Sequence, residues 1–480
     1  MRYRAHYWLA ILLMQGCLWG ALLNGLELLP PQRQPDTASY EQTPWSSLTD
    51  LMGHMRTPGY GAFLDVVHRC GLSDATIPLV QYAVYVCAVC LFWWGLTQWS
   101  GMPVLGCAAA SMLLYGNIAI RFGGSLTPDL LAAAAGVASI GLLLGSHSAR
   151  LNWWRMVLTG LLITVAWMLR PVYLFLIPLL PLLDLALISL QPDTPRSQSN
   201  WLRVAKLTSC GLGPLALWCG MRFAIVGDAT PVAFGGNHML ALACNFATEA
   251  DTPQLTPELQ PLWKDVLRHR HELAAATRER RPLADWFVDH PAELLRDAED
   301  IRYSAEPSGH YSLIESRFVL DVWGVCTPVT KNHVGDDWLA ADRTMRQLGN
   351  ELIHQHRQDY VRYYFKAVVR GCLLSLTEQL RNWPQMLVLG ALGLLIWRQA
   401  RLPGQNKPAV LLIPMAWLQM IVGLGTIACV FALLKVLAIA VTTPPIGRMT
   451  DPAGMFWGAM PACLLAMLLC RRCGGEFANR

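Results

Sequence analysis

Ten stretches of this chain, each near twenty residues long, run almost without charge. They lie near 7–28, 77–99, 102–121, 126–146, 153–170, 172–190, 203–225, 383–400, 409–435 and 454–470. An α-helix rises about 1.5 Å per residue and the hydrocarbon of a bilayer is about 30 Å thick, so a run of about 20 apolar residues has the length to cross it. The pattern predicts an α-helical polytopic membrane protein with about ten transmembrane helices. Of the 480 residues, 54% are hydrophobic and 15% charged, and the mean hydropathy is +0.33. Soluble proteins carry about 25% charged residues. Too little charge remains to cover a soluble surface, which argues against a soluble enzyme, and the hydrophobic content excludes a disordered chain.

The first run has basic flanks, Arg2 and Arg4, as a signal peptide would. Its apolar stretch is too long for one, and no small-residue cleavage site follows Leu29, so it is read as an uncleaved first span. The net charge of +5, from 38 basic and 33 acidic residues, gives no basic face for nucleic acid. Most of the 14 cysteines sit in apolar runs, as Cys87, Cys90, Cys107, Cys219 and Cys429 do, where Cys behaves as a small hydrophobe. The paired spacing of Cys470 and Cys473 lacks the second pair that a zinc site needs.

Basic residues recur in alternate loops: Arg2 and Arg4; Arg150 and Arg155; Arg196, Arg203 and Lys206; Arg398, Arg401 and Lys407; Arg471 and Arg472. Cytoplasmic loops carry an excess of Lys and Arg. On that rule both termini are cytoplasmic, and the first outer loop, 29–76, faces the other side together with the long segment 226–382. The expected organisation is an N-terminal transmembrane module of seven spans over 1–225, an extracytoplasmic, mainly helical domain over 226–382, and a C-terminal module of three spans over 383–480. About half of the chain's charged residues fall in 226–382. There the stretches 255–277 and 338–360 have helical periodicity with mixed charge, and Asp251-Thr-Pro and Pro307-Ser-Gly read as turns.

Several short patterns fall on the expected outer face. Asp36-Thr-Ala-Ser-Tyr40 and Arg56-Thr-Pro-Gly-Tyr60 share the first outer loop. The stretch 46–67 is amphipathic, and with Trp45 its residues Leu48, Leu51, Met52, Met55, Phe63 and Val67 suit helices lying in the bilayer interface. An isolated Asp in such a loop is more often an ordinary turn residue. Ser125-Leu-Thr-Pro-Asp129 opens the fourth span, and a helix start alone explains both its Pro and its Asp. Ala166-Trp-Met-Leu-Arg170-Pro171 ends the fifth; its Arg suits either snorkelling to the interface or holding a phosphate. Pro445-Ile-Gly-Arg448 lies between the last two spans.

In this order the patterns resemble those of the bacterial GT-C integral membrane glycosyltransferases, in the branch of protein O-mannosyltransferases and lipid A aminoarabinose transferases. The resemblance is clearest over 1–190. The chain departs from the family at Gly61, where Pro is frequent, at Pro128-Asp129, where Glu is frequent, and at Arg448-Met449, where Arg-Tyr is frequent. The resemblance implies a GT-C-like fold in the bacterial inner membrane. It also implies a donor sugar on a polyprenyl phosphate, and a lipid, polysaccharide or protein acceptor. Asp36 then takes the place of the catalytic base, with no charged neighbour within Pro35–Ser39. Arg56, Arg170 and Arg448 are candidate ligands of the donor phosphate, since a guanidinium fork holds two phosphate oxygens. Tyr40, Tyr60 and Asp129 are candidate substrate contacts. Transfer by single displacement inverts the anomeric carbon.

No cofactor is expected, with a divalent metal left open. His354 and His356 are spaced to share a metal only on an extended segment; on a helix they point apart. Cys244 and Cys326 fall in an oxidising compartment in this orientation and are candidates for a disulfide. A rival enzyme class is an O-antigen ligase or polymerase, which keeps its key residues in a long late loop and does not predict Asp-x-x-x-Tyr in the first. A transporter is a weaker rival, because the spans are nearly free of charge apart from Asp184 and Lys435.

Overall fold

A computed structural model describes residues 2–146, 153–190, 198–278, 318–400, 415–445 and 450–472. Arg448, the Pro307-Ser-Gly turn and Cys473 lie outside these residues. The described chain is helical, and its β-pairing is one isolated parallel bridge between Gln32 and Ser125.

Among the described residues seven helices are long and apolar enough to cross a membrane: His6–Gly25, Asp74–Ser100, Pro103–Phe122, Pro171–Ser189, Trp201–Val226, Trp417–Ala440 and Pro452–Leu469. Three further expected spans are apolar helices of shorter length, Asp129–Gly145, Trp153–Leu169 and Trp383–Arg398. The sequence run at 126–146 loses its first turn because the chain there is held in another way. Gln32 N–H donates to Gly124 O at 2.8 Å, and Leu126 N–H donates to Gln32 O at 3.0 Å. The helix therefore starts at Asp129, and every residue from there to Gly145 is buried. A helix apolar all round suits the inside of a bundle or the lipid around it, and here the bundle encloses it. Ala, Gly and Leu make up most of it, which lets neighbours come close. At the crossing with Asp74–Ser100, a Cβ on Gly95 would stand 1.9 Å from the Gly141 carbonyl oxygen, so only backbone fits.

A second core gathers Leu240, Trp263, Val266, Val325, Met345 and Leu348 with their neighbours. The stretch 255–277 becomes the helix Gln260–Arg278, and 338–360 becomes Trp338–Gln355, which breaks at His356 before a new helix, Arg357–Leu380. Asp251 does more than turn the chain: with Thr248 it closes a capping box on the short helix Glu249–Gln254. Buried Arg270 organises this core. It meets Asp321 through both Nε and a terminal nitrogen at 3.0 Å, and donates as well to Cys244 O and Asn245 Oδ1. Asp321 opens one π-helical turn, Asp321–Cys326, and the Cys244 and Cys326 sulfurs lie 3.8 Å apart in van der Waals contact.

A buried Arg222 ties the two cores together. Near the end of Trp201–Val226 it donates to Met52 O in the first loop and pairs with Asp228 at 3.2 Å; Asp228 also pairs with Arg346 at 3.2 Å. Within the first loop, Met52, Leu64 and Val67 are buried while Trp45, Leu48 and Val66 are exposed, so part of the expected amphipathic face packs inward.

Candidate functional site

The first loop reaches its place by clips at both ends. Thr37 Oγ1 donates to Leu126 O at 3.0 Å and accepts from Gln34 N–H, which fixes the start of the helix Thr37–Glu41 beside the chain leading to Asp129. Further along, the helix Gly59–Arg69 begins against the end of Trp153–Leu169. A Cβ on Gly59 would lie 2.5 Å from Met168 O, so the glycine of Arg56-Thr-Pro-Gly-Tyr60 is there to let two backbones touch. These contacts bring the Arg56 and Arg170 segments together.

Asp36 stands at the N-cap of its helix but makes no cap hydrogen bond. Its Oδ1 instead accepts from Arg56 at 2.9 Å. The carboxylate without a charged neighbour in its own stretch has one from twenty residues further on. Arg56 also donates from Nε to Ser39 Oγ at 3.0 Å, and its guanidinium lies 5.1 Å from the Tyr40 ring centre and 4.4 Å from that of Phe234. The pair is sheltered rather than sealed, with side-chain exposures of 22% for Asp36 and 13% for Arg56.

A second pair lies beside the first. Arg170 donates to Asp129 Oδ2 at 2.9 Å, and Asp129 is only 2% exposed. A snorkelling Arg holds its head in water; this one turns inward. Asp129 sits in the first turn of its helix, as expected, yet its partner is an Arg at the end of another. Tyr40 stands between the two pairs. Burial pushes its hydroxyl above the ordinary range, Arg56 and Arg170 pull it down, and Asp36 and Asp129 push it up. Tyr40 meets Tyr60 edge to face at 5.2 Å. The Tyr60 hydroxyl is buried with no hydrogen-bond partner among the described residues, and burial raises its pKa strongly.

Sequence reading missed two members of this neighbourhood. Lys435 stood out only as a lone charge in an apolar run. It is buried, donates to the Tyr173 hydroxyl at 3.3 Å and lies 4.4 Å from that ring's centre. His238 was one histidine among many in 226–382. Its Nδ1 is 3.0 Å from Thr443 Oγ1, and its ring packs against Phe234 and Phe318. Burial first, and then the charge of Arg56, lower its pKa to about 4 against a small opposing effect of Asp36, so the ring is neutral at pH 7. The signal for Lys435 was its isolation in an apolar span; nothing local marked His238.

Among the described residues no three His, Cys, Asp or Glu side chains are grouped to hold a metal. His354 is on a helix and His356 caps its end, where His356 pairs with Asp251 at 3.0 Å. A shallow cleft of about 280 Å³ between Asp265, His269, Asn332 and His333 shares no residue with the Asp36 cluster. The cluster therefore combines two sheltered carboxylates, two guanidinium groups, a buried ammonium and three tyrosines at one end of a helical bundle. Compared with known proteins, the chain matches no family model, no curated protein and no solved structure.

Proposed function

We propose that this protein is a GT-C-type glycosyltransferase of a bacterial inner membrane. On this reading it moves a sugar from a polyprenyl phosphate to an acceptor hydroxyl at the extracytoplasmic face, with both termini in the cytoplasm. The observation that carries the reading is the convergence of Asp36, Tyr40, Arg56, Tyr60, Asp129 and Arg170, which come from three separate parts of the sequence.

In the reaction, the acceptor oxygen attacks the anomeric carbon, and the bond from that carbon to the phosphate oxygen breaks. The acceptor's proton passes to Asp36, and the polyprenyl phosphate leaves as an anion that needs no strong general acid. Arg56 is the hinge of the proposal. In the resting protein it holds Asp36. A donor phosphate competes for the same fork, because Arg binds phosphate as readily as carboxylate. Donor binding then both neutralises the phosphate and releases Asp36 to accept a proton. Arg170, and Arg448 from outside the described residues, are the other proposed phosphate ligands. Tyr40, Tyr60 and Asp129 shape the donor's seat.

The test is mass spectrometry of envelope lipids, glycans and proteins from cells with and without the gene, and from cells carrying Asp36→Asn at equal protein level. A sugar-sized mass that disappears both with the gene and in Asp36→Asn is expected. Loss of a general base typically costs about 10²–10⁴ in rate. An unchanged glycan profile in the deletion, or full transfer by Asp36→Asn, defeats the proposal.

A further inference from the structure

The helix Arg357–Leu380 carries two apolar faces where a soluble helix has one. Its inner face buries Tyr363, Ala367, Gly371 and Ser375. On the outside Val361, Phe365, Val369, Leu373, Leu376 and Leu380 are all exposed, Phe365 by 66% and Val369 by 61%. Steps of four and three residues put these six on one stripe. Arg362, Lys366 and Arg370, each exposed, follow along one edge of it at steps of four.

The partners of the inner face say where the stripe lies. Tyr360 donates its hydroxyl to Val441 O at 2.8 Å, and Tyr364 donates to Leu437 O at 3.5 Å, both at the end of the span Trp417–Ala440. Trp457, early in the last span, donates to Ser375 Oγ at 3.3 Å, and Asn117, late in Pro103–Phe122, donates to Glu378 O at 2.8 Å. A helix of 24 residues is about 36 Å long and touches three spans near their ends, so it lies across the end of the bundle rather than along a span. It is also the end at which Thr443 meets His238. Past Leu380 the exposed apolar surface continues through Trp383, Leu387 and Leu394 on the next apolar helix.

We propose that Arg357–Leu380 lies in the surface of the bilayer, its outer stripe entering the edge of the hydrocarbon and Arg362, Lys366 and Arg370 pairing with anionic phospholipid headgroups. The stripe is continuous with the lipid-facing surface of the spans, and a basic edge beside an apolar face is the pattern that suits an anionic interface. The proposal does not depend on glycosyl transfer.

Two measurements on the full chain in lipid nanodiscs test it. A photo-crosslinking residue placed at Phe365, Val369 or Leu373 should yield phospholipid adducts by mass spectrometry, whereas the same residue at Glu272, exposed on the helix Gln260–Arg278, should yield few. Adducts to a second copy or to another protein, or no lipid adduct at any of the three positions, overturn the membrane placement. In the second arm, native mass spectrometry compares retention of phosphatidylglycerol with phosphatidylcholine. Arg362→Gln, Lys366→Gln and Arg370→Gln should each lower the preference for the anionic lipid, by up to about fivefold per charge. An unchanged preference in the triple variant overturns the headgroup pairing.

Discussion

Replacing Asp129 separates two accounts of the residue. As a helix-start carboxylate it contributes at most about 1 kcal/mol through the helix dipole. In the structure it is 2% exposed and shares a 2.9 Å ion pair with Arg170, itself 13% exposed. Removing one partner of a buried pair leaves an uncompensated charge and costs about 3–5 kcal/mol, whereas replacing both with apolar groups is often near neutral. Asp129→Leu alone and Arg170→Met alone should therefore each destabilise by about 3 kcal/mol, with the double variant close to the parent. The coupling energy is then on the order of 6 kcal/mol, the two single losses together, far beyond the few tenths by which distant sites fail to add. The assay is reversible unfolding of the full chain in mixed micelles, run as a complete double-mutant cycle. Single losses below about 1 kcal/mol that simply add in the double variant would refute the buried-pair argument.

Three other outcomes follow from the geometry. Gly59→Val should push the helix Gly59–Arg69 off Met168 and displace Arg56, lowering both thermal stability and the proposed transfer; an unaffected variant would show that the close approach is not needed. The His238 pKa falls from 6.5 to about 4 on folding, so between those values the unfolded chain binds more protons, and the contribution of His238 is lost as pH falls from about 6.5 toward 4. His238→Asn should flatten that part of the stability–pH curve, and an unchanged slope would contradict it. With sulfurs already 3.8 Å apart, Cys244 and Cys326 should resist alkylation in protein isolated from an oxidising compartment and react after reduction and unfolding; free thiols at both before reduction would contradict the expected orientation.

What the sequence revealed and what it hid divide along sequence distance. Apolar runs are local, and the helices lie where composition and Pro or Gly punctuation placed them, including the stop at Arg170-Pro171. The burial of Asp129–Gly145 on every side was not legible, because an apolar run reads alike whether lipid or protein surrounds it. Asp36 and Arg56 were each legible as candidates, but their ion pair crosses twenty residues of short helices and turns with no common period to relate them. Asp129 already had a sufficient local explanation as a helix start, which concealed its partner on another helix. Lys435 was visible as an oddity, yet its partner Tyr173 lies 262 residues away, beyond any pattern in one chain.

The helix Asp129–Gly145 sets a constraint on assembly. A segment enclosed on all sides cannot be the last piece added to a bundle; its neighbours must close around it. Its sides are mostly Ala, Gly and Leu, so before that closure it is as comfortable in lipid as any span. The buried carboxylate at its head is not. Arg170, at the end of the next helix, supplies the guanidinium that compensates the charge of Asp129, so docking of those two helices is favoured by more than apolar packing. The ion pair beside the candidate site thus also holds two helices of the bundle together.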